Sequence, residues 1–176
     1  MVPRIYFADL EAYNSGRLQG DWVEFFDGIE ADDVRLAVDA MLKKSAGEEW
    51  RIDDREHFAE FDGNNFEELC QVAALIHEHG EGAVKGFISH VGSSYVGENL
   101  DSFDDIYMGC FKSEVDFCEE RIGDEGGLKA AAEEIQVFDW GTLAQYIDWE
   151  CIANDVFISL YFSQYEGYQK VHVYLR

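Results

Sequence analysis

Carboxylates run through every part of this chain, and that distribution restricts what it can fold into. Residues 1–60 carry 15 acidic and seven basic side chains, a balance of -8. Residues 61–120 carry 13 acids against only Lys85 and Lys112, giving -11, and residues 121–176 stand at -5. Most of a folded surface is then expected to be anionic, and neither a metal cage nor one active site needs such a spread. Against the net charge of -24, 47% of the 176 residues are apolar and 15% aromatic, too much for a solvated acidic tail. The length suits one domain or two to three small subdomains.

The charge also selects partners. An anionic body is repelled by nucleic acid and anionic lipid and drawn to basic grooves on other proteins. The 13 basic residues form no run longer than Lys43-Lys44, so direct nucleic-acid binding through a basic patch is not expected. No stretch approaches the 18 apolar residues of a membrane helix. The opening MVPRIYFADLEAYN has no signal-peptide apolar region, and Cys70, Cys110, Cys118 and Cys151 form no CxxC. A cytoplasmic, reduced protein is the expectation. Duplex DNA carries one charge per about 1.7 Å, so 24 charges correspond to roughly 41 Å of duplex. A compact chain of this length has a radius of gyration near ~16 Å, so one protomer could match a short duplex in linear charge density. Solubility, or adaptation to a salty cytoplasm, accounts for the same composition.

Periodicity predicts strands at 3–8, at 21–26 and around Trp50-Arg51-Ile52, with turn chemistry over 9–20. Asp32 or Asp33 is expected to cap a helix over about 33–45, with Val34, Val38, Met41 and Leu42 as its apolar stripe. Asn64 or Asn65 and Gly80 bracket a helix at about 65–79, and a shorter one is expected at 81–90. SFDDIYMGC reads as a short helix, followed by a helix over about 113–122 opened by Ser113 and Asp116. Further helices are expected around 128–134 and at 142–155, then strands at 156–162 and 171–175 around a Gly167 turn. The fold class is α+β: an α+β N-terminal subdomain at 1–61, a mainly helical middle at 62–110 and an α+β C-terminal subdomain at 111–176.

A search for chemistry finds little apart from carboxylate. His77 and His79 lie on different helix faces and make a poor metal pair. Cys110 and Cys118 lack a nearby His and read as small buried hydrophobes. Asp101, Asp104 and Asp105 lack the Gly and Glu of a calcium loop. There is no GxSxG, HExxH or phosphate loop, so no catalytic residue, metal or cofactor is expected. What stands out is a dense series of acids: Glu67, Glu68, Glu78, Glu81, Glu98, Asp101, Asp104, Asp105, Glu114, Asp116, Glu119 and Glu120. With almost no Lys or Arg between them they repel one another, so either salt screens them or a partner uses them. Tyr13, Trp22 and Trp149 are assigned to packing.

Four segments in register resemble the ArdA antirestriction proteins. IYFADLEAYNSGRLQGDWVE at 5–24 is similar to that family's opening, through Tyr13, Asn14, Gly16, Leu18, Gly20 and Trp22. Residues 67–89 resemble its central helical region and acidic antirestriction stretch, and YVGENLDSFDDIYMG at 95–109 the segment that follows. FDWGTLAQYIDWECIANDVF at 138–157 resembles its Tyr-Ile-Asp-aromatic-Glu segment, through Tyr146, Ile147, Asp148, Trp149 and Glu150. Gly126-Gly127 has no counterpart in the pattern. The resemblance implies an elongated, three-domain DNA mimic of mobile elements, dimerising through its C-terminal domain and stoichiometrically inhibiting type I restriction–modification enzymes. It implies phosphate-like roles for the twelve acids, and structural roles for Tyr13, Gly16, Gly20, Trp22, Tyr146 and Trp149. An acidic module blocking another basic DNA-binding protein, or a carboxylate enzyme using a divalent cation, are the alternatives.

Overall fold

The first strand forms because Ile5 and Phe7 alternate with half-exposed Arg4 and Tyr6, so one face of the segment is fully buried. The structure is a computed structural model that describes residues 1–45, 47–124, 127–135 and 139–176. Gly126, of the Gly126-Gly127 pair, and Phe138, which opens the last family-like segment, lie outside the described residues. The chain divides into two compact units, Met1–Phe103 and Asp104–Arg176. Each has its own sheet near one chain end, with helices filling the sequence between them, so the expected α+β class holds.

In the first unit β1 (Arg4–Asp9) is the centre of an antiparallel sheet, between β2 (Gly20–Glu24) and β3 (Trp50–Glu56). The segment expected as pure turn contains a short helix, α1 (Leu10–Asn14), before the left-handed Gly16 at φ 75°. Asp9 decides this: it is buried, and its Oδ1 accepts the Ala12 N–H at 2.9 Å, capping the helix. α2 (Ala31–Ser45) buries Val34, Val38, Met41 and Leu42 as expected. Its start differs from the expectation. Asp33 lies inside the first turn, and its Oδ2 accepts the Glu30 N–H at 3.1 Å, the backward half of a capping box.

α3 (Phe66–His79) begins where Asn65 Oδ1 accepts the Glu68 N–H at 3.2 Å and ends at Gly80, whose φ of 88° L side chains rarely adopt. α4 (Glu81–Val91) follows at once, and Leu69, Val72, Ala73, Ala83, Val84 and Phe87 form the buried faces of the pair. Then come α5 (Val96–Asn99), a 3₁₀ turn at Leu100–Ser102 and α6 (Phe103–Ile106).

In the second unit the order is β4 (Tyr107–Phe111), α7 (Glu114–Cys118), a π-helical turn (Glu119–Asp124), α8 (Leu128–Ile135), α9 (Trp140–Ala144), α10 (Trp149–Ser159), β5 (Tyr161–Gly167) and β6 (Lys170–Leu175). The antiparallel sheet runs β4-β6-β5 over a core of Phe111, Phe117, Cys118, Trp149, Ala153, Val171 and Val173. Three expectations are corrected here. The helix read over SFDDIYMGC stops at Ile106, because Tyr107–Phe111 pairs with β6, Tyr107 opposite Tyr174 and Phe111 opposite Val171. The helix at 142–155 is two helices, since Asp139 caps Thr142 at 3.0 Å and Asp148 caps Cys151 at 2.9 Å. The strand at 156–162 starts only at Tyr161, because α10 carries Val156 and Phe157 onto the core. Cys118 is buried as expected, but Cys110 is exposed on an edge strand.

Candidate acidic interface

None of the twelve carboxylates singled out in the sequence is buried, yet they fall into two physical groups. Some are held by this chain's own donors. Glu81, at the start of α4, accepts from the Ala59 N–H at 3.4 Å and pairs with His57 Nδ1 at 3.2 Å. That grip matters because His57, Ala59 and Glu60 all have left-handed φ, at 58°, 53° and 62°, which costs side-chain-bearing residues energy. Lys85 reaches the same loop through Glu60 at 2.5 Å. Glu114 accepts from the Ser163 hydroxyl at 2.5 Å, tying α7 to β5. Asp116 accepts from the Lys112 N–H at 3.2 Å, while its own N–H donates to Ser113.

The others face water with little or no compensation. Glu98 on α5, Asp101 in the 3₁₀ turn, Asp105 on α6, and Glu119 and Glu120 in the π-helical turn are exposed and carry no ion pair among the described residues. Asp104 is exposed beside Asp105. Glu78 is exposed near His79, and Glu67 shares Arg35 at 4.0 Å. Glu68 is half-buried, and its carboxylate packs against Gly97, the residue before Glu98. Glu67, Glu68, Glu78, Glu81, Glu98 and Asp101 belong to the first unit, and the remaining six to the second.

Folding adds carboxylates that the sequence reading omitted. Burial first, and then Glu67, Asp33 and Glu30, together push the Cys70 thiol up to about 11. The acids in and before the first turn of α2 therefore converge on the first turn of α3. Arg35 is the cation between them, at 2.7 Å from Asp32. The available signal was their position at a helix N-terminus, which in the sequence reads only as capping. Burial and then Glu114 likewise raise Cys118 to about 11, so neither thiol supplies a thiolate near neutral pH.

The aromatic and glycine positions differ among themselves. Trp149 is buried, 8% exposed, in the second core. Trp22 meets Tyr6 edge-to-face at 5.5 Å with Arg4 over its ring at 4.7 Å, and Tyr13 lies under Arg51 at 4.4 Å. Gly20 is pressed against the Phe7 carbonyl and the Tyr6 ring, leaving no room for a side chain. Tyr146 stands 81% exposed between α9 and α10.

Among the described residues no group of three or more His, Cys, Asp or Glu could hold a metal ion, and no helix is long and apolar enough to cross a membrane. The chemistry on offer is exposed carboxylate, a strong acceptor for Lys and Arg. No curated protein matches the chain. The family described as antirestriction protein (ArdA) matches residues 5–170, nearly the whole length. The chain belongs to the ArdA antirestriction family.

Proposed function

We propose that this protein occupies the basic DNA groove of a type I restriction–modification enzyme and inhibits it stoichiometrically, its carboxylates standing in for phosphates. The observation carrying this reading is the set of exposed acids without an ion pair among the described residues, Glu98, Asp101, Asp105, Glu119 and Glu120, in a third of the chain with only two bases. Lys and Arg of such a groove are arranged for phosphates, and phosphate contacts supply most of the non-specific affinity. A prefolded acidic surface competes for them without the bending that a DNA site requires, about 1–6 kcal/mol for a strongly bent one. The action needs no cofactor and no turnover.

The twelve acids contribute unequally in this reading. Glu98, Asp101, Asp104, Asp105, Glu119 and Glu120, with Glu67, Glu68 and Glu78, contact the groove. Glu81, Glu114 and Asp116 chiefly hold the elements that carry them. The protein acts as a homodimer of three-subdomain protomers, divided near residues 61 and 110 and joined through residues 111–176. Two copies bring about 48 charges, the charge of roughly 80 Å of duplex. Titration into a preformed methyltransferase–DNA complex should release DNA at a fixed ratio of protomers to enzyme, less readily as salt rises. DNA retained at large molar excess, with inhibitor and enzyme both folded, would refute the proposal. Sedimentation of the free protein as a monomer at micromolar concentration would remove the dimer.

A further inference from the structure

We infer that the second unit contains a pocket for one guanidinium group, the arginine side chain of a bound protein. The pocket has a volume of about 450 Å³ and is lined by Glu119, Asp124, Trp140, Gln145, Ile147 and Trp149 among others. Its construction is unlike the open acidic surface. The six residues from Glu119 to Asp124 form a π-helical turn, a widened geometry found frequently at functional sites. The turn places its first and last carboxylates on the cavity wall and sets the buried Gly123 beneath the two indoles. A Cβ at Gly123 would come within 3.1 Å of the Trp149 ring and 3.2 Å of the Trp140 ring, so a side chain there would press both indoles back by a few tenths of an ångström.

Three features define the ligand. Glu119 and Asp124 bring two negative charges, and Asp124 is paired with Lys129, whose Nζ lies 3.6 Å from its Oδ1. Gln145 donates its Nε2–H to the Gly141 carbonyl at 3.0 Å, which leaves its Oε1 as an acceptor. Two indoles, Trp140 and the more deeply buried Trp149, supply the electron-rich part of the wall, a surface that attracts a cation. Planar stacking surface, two carboxylates and a neutral acceptor match a guanidinium, which stacks on aromatics and donates five N–H bonds in a fixed fork. An ammonium is more strongly hydrated and lacks the flat face, so lysine is disfavoured. The source of the arginine rests on the groove-blocking proposal, since a DNA groove is where this protein would meet arginines; the pocket itself does not.

The four indole N–H signals of this protein provide the test, with Trp22 and Trp50, which belong to the other unit and do not line the pocket, as internal controls. Titration with N-acetyl-arginine amide should shift the Trp140 and Trp149 signals saturably and leave those of Trp22 and Trp50 in place. N-acetyl-citrulline amide, the same shape without charge, should shift none, and N-acetyl-lysine amide should bind at least about threefold more weakly. Glu119→Gln and Asp124→Asn should each weaken the arginine probe by about two- to fivefold with the melting temperature unchanged. Equal binding of the citrulline probe, non-saturating shifts, or shifts shared by all four indoles would overturn the inference. Arginine binding in a protein that fails to displace DNA would leave the pocket standing and remove the groove as the arginine's source.

Discussion

Charge imitation is most sharply tested by separating acids that face water from acids that hold the fold. The perturbation is a fourfold neutralisation, Glu98→Gln, Asp101→Asn, Asp105→Asn and Glu120→Gln, at exposed positions without an ion pair among the described residues. Each carboxylate that meets a cation in the complex is worth about 0.2–1 kcal/mol. Simple addition of the four effects gives the variant a loss of about 1–4 kcal/mol of binding, about fivefold to about 10³-fold in affinity, with Glu98, Asp101 and Asp105 close enough in sequence to couple. Its melting temperature should hold or rise, since like charges have been removed. The companion is Glu81→Gln, which weakens the grip on the left-handed loop at His57 and Ala59. At this half-exposed site stability should fall by about 0.5–1.5 kcal/mol, with inhibition by the folded protein nearly unchanged. The assay is the inhibitory concentration against a type I enzyme at two ionic strengths, beside melting followed by circular dichroism. Wild-type inhibition should weaken more steeply with salt than that of the fourfold variant. If the fourfold variant inhibits like wild type at both salts, or Glu81→Gln abolishes inhibition while folded, the reasoning fails.

Other consequences concern the second unit. Phe117 is fully buried, with rings of Phe111, Phe157 and Tyr161 packed around it at 5.0, 5.6 and 4.7 Å. Phe117→Ala should destabilise this unit by about 3–5 kcal/mol in denaturant titration, and a loss below about 1 kcal/mol would contradict the described core. Gln169, at φ 55°, sits in the tight turn joining β5 to β6, so Gln169→Gly should raise the unfolding free energy by about 0.5–1 kcal/mol and the denaturation midpoint with it. A lowered midpoint would mean that the turn is not left-handed there. Hydrogen bonds from Lys170 and then His172 hold the Glu166 carboxyl below its ordinary range. Its contribution is therefore present above the unfolded Glu pKa of about 4.3 and is lost as pH falls through the lower folded value. Glu166→Gln should flatten the acid side of the stability–pH curve, and an unchanged curve would show that the pair contributes nothing.

Much of the local architecture could be read from sequence because its causes lie within a few residues. Asn65 and Gly80 bound α3, the Val34, Val38, Met41 and Leu42 stripe buries α2, and Ser113 opens α7, all through contacts spanning one or two turns. The acidic excess and the four family-like segments were equally visible, being properties of the residues themselves. Tertiary structure decided whatever depends on a distant partner. Tyr107–Phe111 is a strand because β6 offers an unpaired edge, and Glu30 and Asp33 reach Cys70 only once α2 packs near α3. It also divided the acids, since the distance to Ser163, His57 or the Ala59 N–H determines whether a carboxylate is spent on the fold or left for a partner. A side chain's charge is written in its codon; what neutralises that charge is set by the packing of segments that the chain order keeps apart.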